Sequence, residues 1–286
     1  MARTSFHAAW AVEAAILTTA VGLASAVYAD SFHGDGSAPT PTRELELIQA
    51  VCSDAAVLEH EGKKTVGCRT CPRFLRPLAT KSATQAETVY YGHFSDPAAT
   101  EAMISFQGCT SRAEAEGWGV LLRKQGRAWR RVATLDRLPD CKSHTRKDGR
   151  DVLVCVDVAS GGGGQAVSLS TYDALQPESK RRRILLGASF ADEAWCYPHW
   201  SIAELEDVTF RDLNGDGVMD VRVTVAAART KVPKRCESTC ECKGWKPPKE
   251  RQRFTFRFLA TPAGFVDEAA NARERLRLKR VVEVFN

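Results

Sequence analysis

The richest cluster of ligating side chains lies in residues 207–225, where Asp212, Asn214, Asp216 and Asp220 fall at positions 1, 3, 5 and 9 of one short loop. Gly217 stands at position 6, where such a loop must turn sharply, and Val218 at position 7 offers only its main-chain carbonyl. Several oxygens drawn from one tight loop are what a hard cation such as Ca²⁺ requires, at about 2.3–2.6 Å. The alternative is a metal-free, Asx-rich hairpin turn, in which three aspartates would repel one another. Position 12 is Val223 rather than a bidentate Glu, and the flanks alternate as strands do (Val208, Phe210; Val221, Val223, Val225). Both features argue against a helix–loop–helix calcium site.

The strand–DxNxDGxxD–strand pattern of residues 207–225 resembles the calcium loops of FG-GAP/VCBS-type repeats, which occur in β-propellers related to the integrin α-subunit head. The resemblance implies that Asp212, Asn214, Asp216, Val218 and Asp220 coordinate a structural Ca²⁺ ion. A second, shorter copy runs from Gly92 to Phe106. There Phe94, Asp96 and Glu101 repeat the order of Phe210, Asp212 and Asp220, but the central oxygens are missing. That copy reads as a metal-free equivalent.

Ten cysteines offer other chemistry: Cys52, Cys68, Cys71, Cys109, Cys141, Cys155, Cys196, Cys236, Cys240 and Cys242. Cys68 and Cys71 form a C-x-x-C, the spacing of a thiol-exchange pair whose reactivity rests on a depressed thiol pKa. Gly67 and Pro72 flank it, which favours a loop over the helix start such a pair needs. Cys236, Cys240 and Cys242 with that pair would make a zinc site, but the spacing is too irregular for paired knuckles. Disulfides are therefore expected for all ten. Cys141 and Cys155 are expected to pair, because they flank a turn at Asp148-Gly149 and a hairpin would bring them together. The other connectivities stay open.

The N-terminus supplies the compartment. A weakly basic start is followed by an apolar stretch over residues 8–29, broken only by Glu13. Small-x-small sites at Ala24–Ala26 and Val27–Ala29 complete the order of a secretory signal peptide over residues 1–29. An uncleaved anchor is the alternative, although residues 14–29 fall short of the roughly 20 apolar residues a spanning helix needs. The expectation is an exported protein, periplasmic or extracellular, with no membrane span after cleavage, in an environment where disulfides persist.

The remainder must position these groups. The chain has 286 residues, 44% of them hydrophobic and 26% charged, which excludes a disordered or collagen-like chain. Residues 30–42 read as a flexible leader and 43–90 as a Cys-containing segment that opens with a short helix from Thr42 to Cys52. Residues 91–286 read as a mainly-β domain. Strands are predicted at 102–106, 119–123, 129–135, 152–158, 166–172, 183–186, 207–210, 221–225 and 254–259. Short turns between them point to an antiparallel meander, β-propeller-like, with a β-sandwich as second choice. Residues 161–164 read as a hairpin tip, and residues 267–286 fit either a helix or a final strand over 279–285.

The net charge is +5. Its densest clusters, at Lys180–Arg183 and Arg273–Arg280, read as solvated faces, without a nucleic-acid module. No G-x-S-x-G, H-E-x-x-H or phosphate-loop motif occurs. His93, His144 and His199 are isolated, and Glu59-His60-Glu61 reads as a solvated helix end. Trp195, Tyr197, His199 and Trp200 around Cys196 form core beside a disulfide or an aromatic ligand platform. The expected function is an exported, disulfide-stabilised, calcium-binding, non-catalytic binding or scaffold module of the cell envelope, its partner an unknown protein or glycan. The alternative is a secreted enzyme, either a thiol-disulfide oxidoreductase using Cys68 and Cys71 or a hydrolase.

Overall fold

A computed structural model describes residues 35–60, 62–75, 83–109, 117–136, 138–161, 164–190, 199–237, 245–246 and 249–285. The signal-peptide reading of 1–29 and the cysteines 196, 240 and 242 lie outside them, as do Trp195 and Tyr197. Helix α1, Pro41–Gln49, starts with Pro at N1 after the extended Thr40, where a missing N–H costs nothing. The Glu44 carboxylate reaches back to accept from the Thr40 amide at 2.6 Å and its hydroxyl at 3.0 Å. Leu47 and Ile48 on its inner face are fully buried.

Six strands follow in one antiparallel sheet, each beside the next: β1 Ala55–His60, β2 Lys63–Cys68, β3 Thr84–Gly92, β4 Glu101–Gln107, β5 Gly117–Gln125 and β6 Ala128–Asp136. Strands β4 and β5 are buried on both faces, which is why their sequences run apolar without alternation. One face packs Ile104, Phe106, Val120 and Leu122 against α1. The other turns Tyr90, Met103 and Leu121 toward Leu153 and Tyr172 of a second sheet.

That sheet contains β7 Asp140–Thr145, β8 Asp151–Gly161, β9 Gly164–Tyr172 and, after the short α2 Glu178–Arg181, β10 Arg182–Phe190. The third contains β11 His199–Arg211, β12 Asp220–Lys231 and, after α3 Lys234–Glu237, β13 Gln252–Thr261 and β14 Gly264–Asp267. The chain closes with α4 Asn271–Leu278 and β15 Glu283–Phe285, which pairs with the edge of β10. Val154, Leu169 and Leu186 of the second sheet meet Val223, Phe254, Phe256 and Phe258 of the third, with Leu278 of α4, in the largest apolar core among the described residues.

A repeat emerges from this order. Strands β3–β6, β7–β10 and β11–β14 are each a four-stranded antiparallel meander, and the second strand of each opens on a buried acid: Glu101, Asp151 and Asp220.

The mainly-β, antiparallel expectation holds, with a short N-terminal helix. Three details differ. Strand β3 crosses residue 90, so the Cys-containing segment and the β domain share one sheet rather than meeting at a boundary there. Glu59 and His60 lie on β1, not at a helix end, because the register Glu59↔Lys64 and His60↔Lys63 draws them into a hairpin. The C-terminal alternatives both occur, helix first and strand after. Gly161 pairs with Gly164 across a hairpin, as expected of a tip there. Among the described residues no helix is long and apolar enough to cross a membrane.

Candidate metal loop and the strand-opening acids

Residues 212–219 bridge β11 and β12, whose register closes at Arg211↔Asp220. Gly215 and Gly217 take φ of +78° and +80° with open space where a Cβ would stand, so the tip needs residues free of the left-handed penalty. Asp212 caps the turn. Its Oδ1 accepts from the amides of Gly215 at 2.6 Å and Asp216 at 3.1 Å, and its Oδ2 from that of Gly217 at 2.9 Å. Asn214 Oδ1 accepts from the Asp216 amide and Asp216 Oδ1 from that of Val218.

These contacts keep the loop anionic. The Gly217 amide, then those of Gly215 and Asp216, hold the Asp212 carboxyl below the usual carboxylate range despite the nearby Asp216 charge. Asp216 is lowered chiefly by Lys147, whose ammonium sits 2.9 Å from its Oδ2, and next by the Val218 amide. Asp212 has no cationic partner among the described residues. Asp220 differs from both. It is fully buried, with Oδ2 accepting from the Leu213 amide at 2.8 Å and Oδ1 from that of Ala260 at 2.7 Å. It ties the loop to β13.

The sequence therefore places Asp212, Asn214, Asp216, Val218 and Asp220 on one loop, but the three carboxylates do not converge as a ligand cluster. Among the described residues the one group of three Asp, Glu, His or Cys ligand atoms within 4.8 Å of one another is Cys52, Asp54 and Cys68. There the two sulfurs are bonded to each other, which leaves no thiolate for a metal.

The same junction recurs in the sister meanders with different neutralisation. Glu101 accepts from the amide and hydroxyl of Ser95 and pairs with Arg123 at 2.8 Å, its direct cross-strand partner. Asp151 accepts from the His93 amide at 2.8 Å and the Thr145 hydroxyl at 2.6 Å. A Cβ on Gly92 would meet its carboxylate at 2.6 Å, so that approach requires glycine. In the turn before it, Asp148 pairs with Arg146 and Arg150. His144 sits between the second and third junctions, buried, its ring 4.9 Å from that of Phe265 and 6.0 Å from that of Phe210, with Nε2 unpartnered.

The described cysteines are staples. Cys141 pairs with Cys155 across β7 and β8, as expected. Cys68 and Cys71 do not pair with each other: Cys68 joins Cys52 and Cys71 joins Cys109. That removes the thiol-exchange reading, since neither sulfur is a thiol and Cys68 is fully buried. Cys236 is also disulfide-bonded and buried against Trp200, which excludes it as a zinc thiolate. Of the remaining histidines, His93 is exposed with Nδ1 at the Ala99 carbonyl, and His199 opens β11 beside Ser189 and Arg229.

Sequence reasoning missed Lys147, whose contact with Asp216 spans 69 residues. It also missed Arg123 and Asp151 as members of the junctions. The legible signal was an acid immediately before a strand, an apolar run after Glu101 and Asp151 and an alternating one after Asp220. No family model, no curated protein and no solved structure matches this chain.

Proposed function

We propose that the chain is an exported, disulfide-stapled, non-catalytic binding or scaffold module of the cell envelope, with a structural Ca²⁺ ion in the 212–220 loop. One observation carries the metal reading. The two sister turns each carry a single aspartate, Asp96 and Asp148, whereas this loop gathers Asp212, Asn214 and Asp216, and Asp212 is exposed with no cationic partner among the described residues. The sister turns close on one capping aspartate each, as this loop does on Asp212, so the oxygens of Asn214 and Asp216 exceed what the turn requires. The loop carboxylates are splayed, and the two glycines at positive φ give the tip room to gather them around an ion. The donor set fits: carboxylate and amide oxygens with the Val218 carbonyl are hard ligands suited to Ca²⁺, water completing the shell.

Three disulfides among the described residues support an oxidising compartment. The thrice-repeated meander, with the loop at one fixed place in it, supports the propeller-like arrangement that the FG-GAP/VCBS resemblance implies. The acids at the three junctions are held by amides and arginines as struts, which supports binding or scaffolding over catalysis.

Calorimetric titration with Ca²⁺ tests the metal. Saturation is expected at roughly 10⁻⁴–10⁻³ M, the range of extracellular modules, and is expected to vanish in Asp212→Ala/Asp216→Ala. A flat wild-type isotherm, or one unchanged in that variant, overturns the reading. At ten times Kd the ion adds about 1.4 kcal/mol, whereas a disulfide typically adds ~2–4 kcal/mol. Reduction should therefore lower Tm further than chelation.

A further inference from the structure

A cleft separate from the metal loop opens where the second sheet meets the β13–β14 turn. It encloses about 400 Å³, within the 300–1,000 Å³ typical of small-molecule sites. Lys180 and Arg181 of α2 and Arg182 and Arg183 of β10 line one side, the turn at Ala263 and Gly264 the other, and Val152 and Phe265 supply apolar surface.

Its charge is not balanced. Arg182 is answered by Asp157 at 2.9 Å and by the hydroxyls of Ser168 and Ser170. Arg181 meets no acid: it donates to the carbonyls of Gln176 at 3.1 Å and Thr134 at 2.8 Å and lies beside the neutral Tyr172 hydroxyl. The Lys180 ammonium and the Arg183 guanidinium are exposed and have no partner among the described residues. Asp173 is the one acid in the lining. It is already shared by Arg146 at 3.0 Å and Arg150 at 3.6 Å.

A second observation is independent of that excess. Arg146 also lines the cleft, and its side chain is only 10% exposed. It ties Asp173 to the Pro262 carbonyl, yet its Nε is buried with no hydrogen-bond partner. A buried donor left unmade is costly, and so is the mutual repulsion of unanswered cations around one cavity. An anion in the cleft relieves that repulsion. Guanidinium forks and an ammonium around one space suit the several acceptor oxygens of a phosphate or sulfate. The volume and the Val152–Phe265 surface leave room for a compact group attached to it.

We propose that this cleft binds a tetrahedral oxyanion, phosphate or sulfate, carried on a sugar-sized group. The inference supplies a ligand class for the binding module described above. It uses no residue of the 212–220 loop, so a chain without Ca²⁺ affinity can still pass its test.

The test is calorimetry on the full, oxidised chain with sodium phosphate, glucose 6-phosphate and glucose at low ionic strength. Saturable binding is expected for glucose 6-phosphate and none for glucose. Binding of glucose 6-phosphate more tightly than inorganic phosphate supports an esterified oxyanion as the ligand; inorganic phosphate binding as tightly overturns the sugar-sized group. Lys180→Ala/Arg183→Ala removes two exposed, unpartnered cations and should weaken binding at least about tenfold, as expected for lost charge-assisted hydrogen bonds. Its Tm should not change. Arg273→Ala/Arg280→Ala removes equal charge from an exposed surface outside the cleft and should leave binding unaltered. No saturable binding of either phosphate, or equal weakening in the two double variants, overturns the site.

Discussion

The junctions at Glu101 and Asp220 solve the same problem with different chemistry. Each places a fully buried carboxylate on the first residue of a second strand, and each uses it to hold an amide of the preceding loop. At Glu101 a cation is built in, because the cross-strand position is Arg123. At Asp220 no cation among the described residues reaches the carboxylate, which is satisfied by two main-chain amides, and the positive partner acts further out, as Lys147 on Asp216. One loop is thus closed within its own sheet. The other carries surplus negative charge at an exposed tip and draws on a neighbouring turn. The difference separates closing a hairpin from presenting oxygens, and only the second favours a metal.

The strongest way to break this contrast is to remove the buried acids. Asp220→Ala strands two buried amides and is expected to cost about 3–6 kcal/mol, given 1.5–3 kcal/mol for each hydrogen bond to a charged group. Asp220→Asn keeps an acceptor and should cost about half as much. Glu101→Gln should instead couple to Arg123→Gln by about 1–2 kcal/mol in a double-mutant cycle, because the two groups share one ion pair. Urea denaturation measures both. A tolerated Asp220→Ala would mean that the amides find other acceptors and that Asp220 is no strut.

A smaller effect tests the wedge between the second and third junctions. Burial pushes the His144 pKa down and Arg146 adds to this, while Asp151 and Asp220 pull it up. The native ring therefore resists a proton that the unfolded chain takes up near the ordinary value of about 6.5. Below that pH the unfolded state binds more protons, so stability falls as pH drops from about 6.5 toward the native pKa; above 6.5 this group contributes no slope. His144→Gln should flatten the stability profile between pH 7 and 5. The carboxyls of Asp212 and Asp216, also lowered, act only below about pH 4 and do not overlap this window. An unchanged slope would show that His144 charges freely in the fold.

How much of this was legible follows from where the information sits. Strands with apolar runs or clean alternation were readable, as in Val152–Val158 and in Phe254, Phe256 and Phe258. Strands β1, β2 and β7 were not, because Glu59, Lys63, Lys64, Lys142 and Ser143 lie on sheet positions that only the neighbouring strand makes extended. The Cys141–Cys155 bridge was readable because one hairpin sets it. Cys52–Cys68 and Cys71–Cys109 were not, since their partners are set by the fold of α1 and the first sheet. The acid loop announced itself by spacing. Its cation did not, because Lys147 arrives from another turn.

That lysine gives the finest test of the contrast. Its ammonium holds the Asp216 oxygen that a bound Ca²⁺ would need, so ion and lysine compete for one acceptor. Lys147→Ala should raise Ca²⁺ affinity about 1.4- to fivefold, the range that corresponds to an exposed pair worth 0.2–1 kcal/mol. The gain should shrink at high salt, where the pair is already screened. The matching change in the first meander, Arg123→Ala, should leave Ca²⁺ affinity unchanged while lowering stability, because that cation serves the buried strut. If Lys147→Ala weakens Ca²⁺ binding instead, the lysine orders the loop rather than guarding it. The two junctions would then differ in the reach of their cation and not in its purpose.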